Sequence, residues 1–172
     1  MTKPDAFYSV AQWLPRTFWR SLSTLDVSGV ENVPRSGPFL LISNHQSNLD
    51  PILIQAVCPR RVHAMAKSTQ FAVPLIARLM KRLHSFPVRR YQTDPQAVRV
   101  VLRRLSEGEG VAIYIEGERT WDGRLQPPRL GTVRLALKAG VPIVPTIIRG
   151  SYDAWPRWDS RVQFRPITIT FG

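Results

Sequence analysis

The sequence predicts a single layered α/β domain with a largely parallel central sheet flanked by helices, preceded by an amphipathic N-terminal helix or helix pair. Three observations predict it. Strand-like and helix-like runs alternate along the chain, the pattern of βα units. The run Val111-Ala112-Ile113-Tyr114-Ile115 is almost wholly apolar, as a strand is when both faces of its sheet are covered. And 172 residues with 44% hydrophobic content suffice for one proper core.

Taken in order, Phe7, Val10, Ala11, Leu14, Phe18 and Leu22 recur at spacings of three and four and predict the N-terminal helix, which Pro15 either kinks or breaks in two. Its tryptophans and arginines, Trp13, Trp19, Arg16 and Arg20, suit a bilayer interface or a helix packed on its own domain. Residues 1–24 are therefore set apart as an interface helix, and 25–172 as the domain proper. Val30 to Gly37 reads as a turn into a buried strand, Phe39-Leu40-Leu41-Ile42, and Pro51 to Val57 as a helix. A strand at Val62–Lys67, a helix from about Phe71 to Leu83 and a short strand, Ser85–Val88, follow. Asp94 as cap, Pro95 at the first position and the stripe Val98, Val101, Leu102, Leu105 define the clearest helix. After Val111–Ile115 and a proline-rich loop, a helix from about Leu130 to Ala139 ends at Gly140 and leads into a strand at Val141–Ile148. Val162–Phe171 reads as a last strand with no cap or tail, and the expectation is a domain truncated at its C-terminal end.

The net charge of +12 attracts nucleic acid, anionic lipid or phosphorylated substrates alike. Between Pro74 and Arg104 eight basic residues face one acid, Asp94. The single cysteine, Cys58, excludes an internal disulfide and a zinc-type cluster and suits a reducing compartment. No run reaches the about 18 apolar residues of a spanning helix, so this stretch is not expected to cross a bilayer. Gly-x-Ser-x-Gly, Gly-x4-Gly-Lys-Ser/Thr and Gly-x-Gly-x2-Gly are absent, which removes the hydrolase elbow and the standard nucleotide cradles.

Two polar seams follow strand ends, where ligands of open α/β sheets bind. In the first, Asn44-His45-Gln46-Ser47-Asn48-Leu49-Asp50, His45 and Asp50 stand five apart and cannot share one face of a continuous helix, so the seam must bend. Asp50-Pro51 supplies a bend as N-cap and first helical residue. Either Asp50 only caps the helix and His45 is an ordinary loop histidine, or the carboxylate folds back to hold Nδ1–H and leaves the other ring nitrogen as a general base. Neither His63 nor His84 has an acid at that offset. In the second seam, Glu116-Gly117-Glu118-Arg119-Thr120, an arginine fork and an unshielded glycine backbone suit a phosphate. A turn that deprotonates a hydroxyl beside a turn that holds phosphate suits a transferase acting on a phosphorylated alcohol.

Asn44-His45-x4-Asp50, Phe86-Pro87-Val88-x-Arg90, Glu116-Gly117-x-Arg119-Thr120 and Val141-Pro142-Ile143-Val144-Pro145, in that order, resemble the four blocks of the glycerolipid acyltransferases, above all the bacterial 1-acyl-glycerol-3-phosphate acyltransferases. The resemblance covers about Val30 to Gly150. It implies that residues 25–172 form an acyltransferase domain in which His45 is the base and Asp50 its orienting partner. Glu116, Gly117, Arg119 and Thr120 then hold the acceptor's glycerol phosphate, Arg90 adds to that site, and Asn44, Lys67, Arg89 and Arg129 lie around it. Arg89 stands where an acid is common, and Thr120 replaces a commoner serine. No cofactor is implied beyond the acyl donor, acyl-coenzyme A or acyl-carrier protein, and the developing oxyanion calls for a backbone N–H near Gly117 or a nearby cation. The implied partners are a lysophospholipid, the thioester and an anionic membrane surface, at the cytoplasmic face of the cell membrane. The competing class, a basic nucleic-acid-binding domain, accounts for the charge but not for the four blocks, and no nucleic acid is expected.

Overall fold

The computed structural model describes residues 6–89 and 94–172. Among them, seven strands form one sheet: β1 (Leu25–Ser28), β2 (Phe39–Ser43), β3 (Val62–Lys67), β4 (Ser85–Val88), β5 (Gly110–Tyr114), β6 (Ile143–Arg149) and β7 (Ile167–Phe171). Six helices surround it: α1 (Ala6–Leu22), α2 (Leu49–Val57), α3 (Pro74–Arg82), α4 (Pro95–Ser106), α5 (Leu130–Ala139) and α6 (Ser151–Ala154). The strand order is β1-β7-β6-β2-β5-β3-β4, and every neighbouring pair is parallel except β6 with β7. The predicted class is therefore the observed one.

The central strands explain the layering. Successive side chains leave opposite faces of a strand. Phe39 and Leu41, with Ala112 and Tyr114, face a core completed by Leu53, Ile54 and Trp19; Leu40, with Val111 and Ile113, faces Val101, Leu105 and Leu135. Helices α1 and α2 thus cover one face, α4 and α5 the other. Helix α4 begins as its sequence dictates: Asp94 Oδ1 accepts from the Gln96 and Ala97 amides, and Pro95 fills the first turn, where no donor is needed.

Several expectations change. Helix α1 is one helix with Pro15 inside it. Its apolar stripe faces the domain only in part: Tyr8 and Trp19 are buried, Phe7 and Ala11 half-buried, and Val10, Leu14 and Leu22 exposed, as is Phe18, one edge of which meets Phe164. A 3₁₀ turn, Ser68–Phe71, precedes α3, so that helix starts later than expected. Strand β7 begins only at Ile167, and β1 and α6 are additions. Among the described residues no helix is long and apolar enough to cross a membrane.

Candidate active site

Strands β2 and β5 lie side by side, with Ser43 opposite Tyr114, so the two polar seams emerge next to each other although about seventy residues separate them. Backbone bonds then stitch the seams together. Ile115 N–H donates to Ser43 O at 3.0 Å, and Thr120 N–H to His45 O at 2.8 Å. Asn44 fixes the other side, donating from Nδ2 to Ile148 O and accepting at Oδ1 from Ile148 N–H, both at 2.9 Å. Its amide continues the β2–β6 pairing where the backbone turns away.

Asp50 Oδ2 accepts three hydrogen bonds: from His45 Nδ1 at 2.8 Å, the Gln46 amide at 2.6 Å and the Ser47 amide at 2.8 Å. It does not cap the helix as the sequence suggested. Asn48 is the N-cap and Asp50 sits in the first turn of α2, its carboxylate drawn backwards by the two amides of the bend. Because an ionised carboxylate only accepts, Nδ1 of a neutral His45 carries the proton and Nε2 is the basic nitrogen. The ring is fixed from below by Tyr114, stacked at 3.9 Å and 16°. Tyr114 was not singled out in the sequence. Its signal is its place as the last strand residue before the second seam, where a side chain must meet whatever crosses the end of β2.

A cleft of about 470 Å³ opens beside this pair. Met65, Val88, Val98 and Leu135 give it an apolar wall, His45 and Gly117 line it, and Arg89 and Arg129 are cations on its lining. Arg129 Nη2 reaches Glu118 Oε1 at 2.6 Å, and its Nε donates to Glu116 O. Gly117 takes a left-handed φ of 70°, and a Cβ there would meet the Arg129 side chain at 3.0 Å. Glycine is required for the turn.

The remaining expected contact residues are placed as follows. Thr120 lies behind the cleft, wholly buried, with its hydroxyl donating to Arg124 O at 2.7 Å. The Gly117 amide donates to Tyr114 O at 3.0 Å, so it is not the donor awaiting an oxyanion. Lys67 ends β3 exposed, two residues beyond Met65 and on the same face, but off the cleft lining. Arg119 is half-buried on the second seam, off the cleft lining. Arg89 donates its amide to Asp94 and stands 3.6 Å from that carboxylate. Arg90 lies outside the described residues. Among those residues, no three His, Cys, Asp or Glu side chains gather as a metal-ligand set.

Glu116 is buried, with Oε1 accepting from the His45 amide at 3.3 Å and Oε2 lacking a hydrogen-bond partner among the described residues. Burial pushes its carboxyl up to about 7, against the amides of His45 and Gln126, and the Asp50 charge pushes the same way. A carboxyl raised above its unfolded value of 4.5 favours the folded state when protonated, and that contribution is lost as pH rises through 7. Glu116→Gln is therefore expected to gain about 2 kcal/mol on the wild type between about pH 5 and pH 8 in urea melts. Parallel pH profiles for the two proteins would contradict it.

The matched family model is Acyltransferase, over residues 24–149. The chain is similar to the 1-acyl-sn-glycerol-3-phosphate acyltransferase of Limnanthes alba, at 31% identity over 86% of this chain and 53% of the plant protein. It is also similar to the enzyme of that name from Bacillus subtilis, at 31% identity over 70% of this chain and 60% of the other. The chain thus spans about half the length of the curated relatives it matches. The solved structure of the 1-acyl-sn-glycerophosphate acyltransferase PlsC from Thermotoga maritima superposes with a TM-score of 0.81 at 22% identity, over 96% of this chain and 67% of that one. That likeness establishes the fold.

Proposed function

The chain belongs to the acyltransferase family, and on that premise we propose that it transfers a fatty acyl group from a thioester to the free hydroxyl of 1-acyl-glycerol 3-phosphate, giving phosphatidate. The observation that carries this reading is the His45–Asp50 pair at 2.8 Å, beside a cleft with an apolar wall and two arginines. The wall suits an acyl chain, the cations suit a phosphate, and a base stands on the same lining.

The chemistry follows from the geometry. A thioester is already activated, so the demanding step is to make the alcohol nucleophilic. His45 Nε2 takes the hydroxyl proton as the oxygen bonds to the thioester carbon. Asp50 holds the resulting imidazolium. Collapse of the tetrahedral intermediate breaks the C–S bond, and the same nitrogen returns the proton to the departing thiolate. With the Gly117 amide engaged, charge on the carbonyl oxygen falls to the cleft cations, Arg89 or Arg129. No cofactor enters; acyl-coenzyme A or acyl-carrier protein is a co-substrate. A panel of acceptors (1-acyl-glycerol 3-phosphate, glycerol 3-phosphate and lysolipids with other head groups) assayed with both donors tests this. Transfer favouring the phosphorylated monoacyl acceptor supports it, and absence of thioester-dependent transfer to any acceptor refutes it.

The surface of α1 supports an anionic bilayer as the place where the lipid is met. Trp13, Leu14 and Phe18 are exposed together with Arg16 and Arg20, and on α3 Leu75, Ile76 and Leu79 are exposed beside Arg78 and Lys81. Aromatic and apolar side chains mixed with cations suit the headgroup boundary. Deleting α1 would also remove Tyr8 and Trp19 from the core, so the sharper test substitutes its outer face. Trp13→Ser with Leu14→Ser is expected to lower partitioning onto phosphatidylglycerol vesicles by more than about tenfold, since two buried CH₂ groups at about 0.8 kcal/mol each already account for that factor. Unchanged sedimentation would remove α1 from the account.

A further inference from the structure

Beyond the stretch matched by the family model, Arg157 reaches back across the molecule to the second seam. Its guanidinium carbon lies 3.4 Å from the centroid of the Trp121 ring. Its Nη1 donates to Arg119 O at 3.0 Å and stands 3.5 Å from Glu118 Oε2. One side chain, 17% exposed, thus touches residues 118, 119 and 121. The other oxygen of Glu118 is held by Arg129 at 2.6 Å, so Arg157, Glu118 and Arg129 form one chain ending at the cleft.

The base from which Arg157 reaches is itself fixed. Ser47 Oγ donates to Trp155 O at 2.8 Å, Trp155 Nε1 to Asp159 O at 2.9 Å, and the Gln163 amide to Ala154 O at 2.7 Å. Tyr152, from α6, adds a second strut through its hydroxyl to Trp121 O at 3.1 Å. A planar cation on an indole face is held more firmly than a flexible ammonium, because the stack fixes the fork while its N–H groups remain directed at acceptors.

We propose that Arg157 is a positioning residue for the acceptor's phosphate: it braces the Glu118–Trp121 turn, holding the Arg119 backbone directly and Arg129 through Glu118. The inference rests on the acyl-transfer reading above and extends it to a residue outside the four sequence blocks.

The test uses the purified 172-residue chain at saturating acyl-coenzyme A, with 1-acyl-glycerol 3-phosphate and uncharged 1-acylglycerol as acceptors. Arg157→Ala is expected to raise KM for the phosphorylated acceptor about tenfold, because an unbraced cation holds the phosphate less well in ground and transition state alike, with kcat and donor KM moving less than about twofold. The uncharged acceptor should be unaffected. Arg157→Lys, which keeps the charge and a donor but loses the stack, should fall between and serves if the alanine variant does not fold. In an Arg129→Ala background, which removes the cleft cation at the end of the chain, Arg157→Ala should add less than about twofold, since residues acting as a unit are not additive. Equal losses for both acceptors, full additivity, or an unchanged KM would overturn the brace. If Arg129→Ala also leaves the phosphorylated acceptor untouched, the phosphate site itself is misassigned; if Arg157→Ala alone is silent, only the brace fails.

Discussion

His45→Ala is expected to lower thioester turnover by between about 10² and 10⁴, the usual range for removing a general base, while leaving the fold intact. The fold survives because the bend is held by backbone bonds, although losing the buried ring and its Tyr114 stack should lower the melting temperature. Asp50 keeps the Gln46 and Ser47 amides, and Thr120 bonds the His45 backbone, not its ring. The activity does not survive, because no described group can replace Nε2. His63 lies at the opposite end of its strand, in β3, and burial followed by the Arg104 and His84 charges drives it down to about 4. Glu116 is close by, but its Oε1 is turned to the His45 amide. Release of free thiol from acyl-coenzyme A in the presence of acceptor measures the loss directly. Near-normal release would show that the alcohol is activated by something else.

The fold was legible where local physics decides it. Asp94-Pro95 and the stripe through Val101 and Leu105 located α4, because a cap and a 3.6-residue period are written in neighbouring residues. The strand Leu25–Ser28 was not legible. It is four residues long, and its partner, Ile167–Thr170, lies at the far end of the chain, so only tertiary pairing makes it a strand. The apolar period of α1 was read correctly, but period does not say which face turns inward. Tyr8 and Trp19 take the core, and the aliphatic stripe faces outward.

The site divided in the same way. The bend required between His45 and Asp50 singled the two out and the resemblance of their block assigned them, whereas the partners that complete the site came from other strands. Tyr114 beneath the ring, Ile148 on Asn44 and Arg157 on the Arg119 turn are contacts across 69, 104 and 38 residues, which no local spacing encodes. Thr120 illustrates the converse: a hydroxyl in a polar seam suggests substrate binding, yet a turn must first satisfy its own carbonyls, and this one bonds Arg124 O.

Asp50→Asn tests the other half of the pair. One carboxylate oxygen accepts from His45 Nδ1 and from two backbone amides, and the second, Oδ1, is buried without a hydrogen-bond partner among the described residues. An asparagine cannot turn its NH₂ towards three donors, so its carbonyl must take the Oδ2 position. That leaves the tautomer of His45 unchanged, with Nε2 still basic. It also buries an NH₂ where nothing accepts it, at a cost of about 1–3 kcal/mol, and removes the charge that steadies the imidazolium. The expected result is turnover down about 10²-fold, less than for His45→Ala, together with a lowered melting temperature. Asp50→Ala strips the acceptor from all three donors and should destabilise more than Asp50→Asn. A loss in Asp50→Asn as large as that of His45→Ala, with destabilisation as large as that of Asp50→Ala, would mean that the amide has flipped and inverted the tautomer, and that the two backbone amides do not fix the side chain.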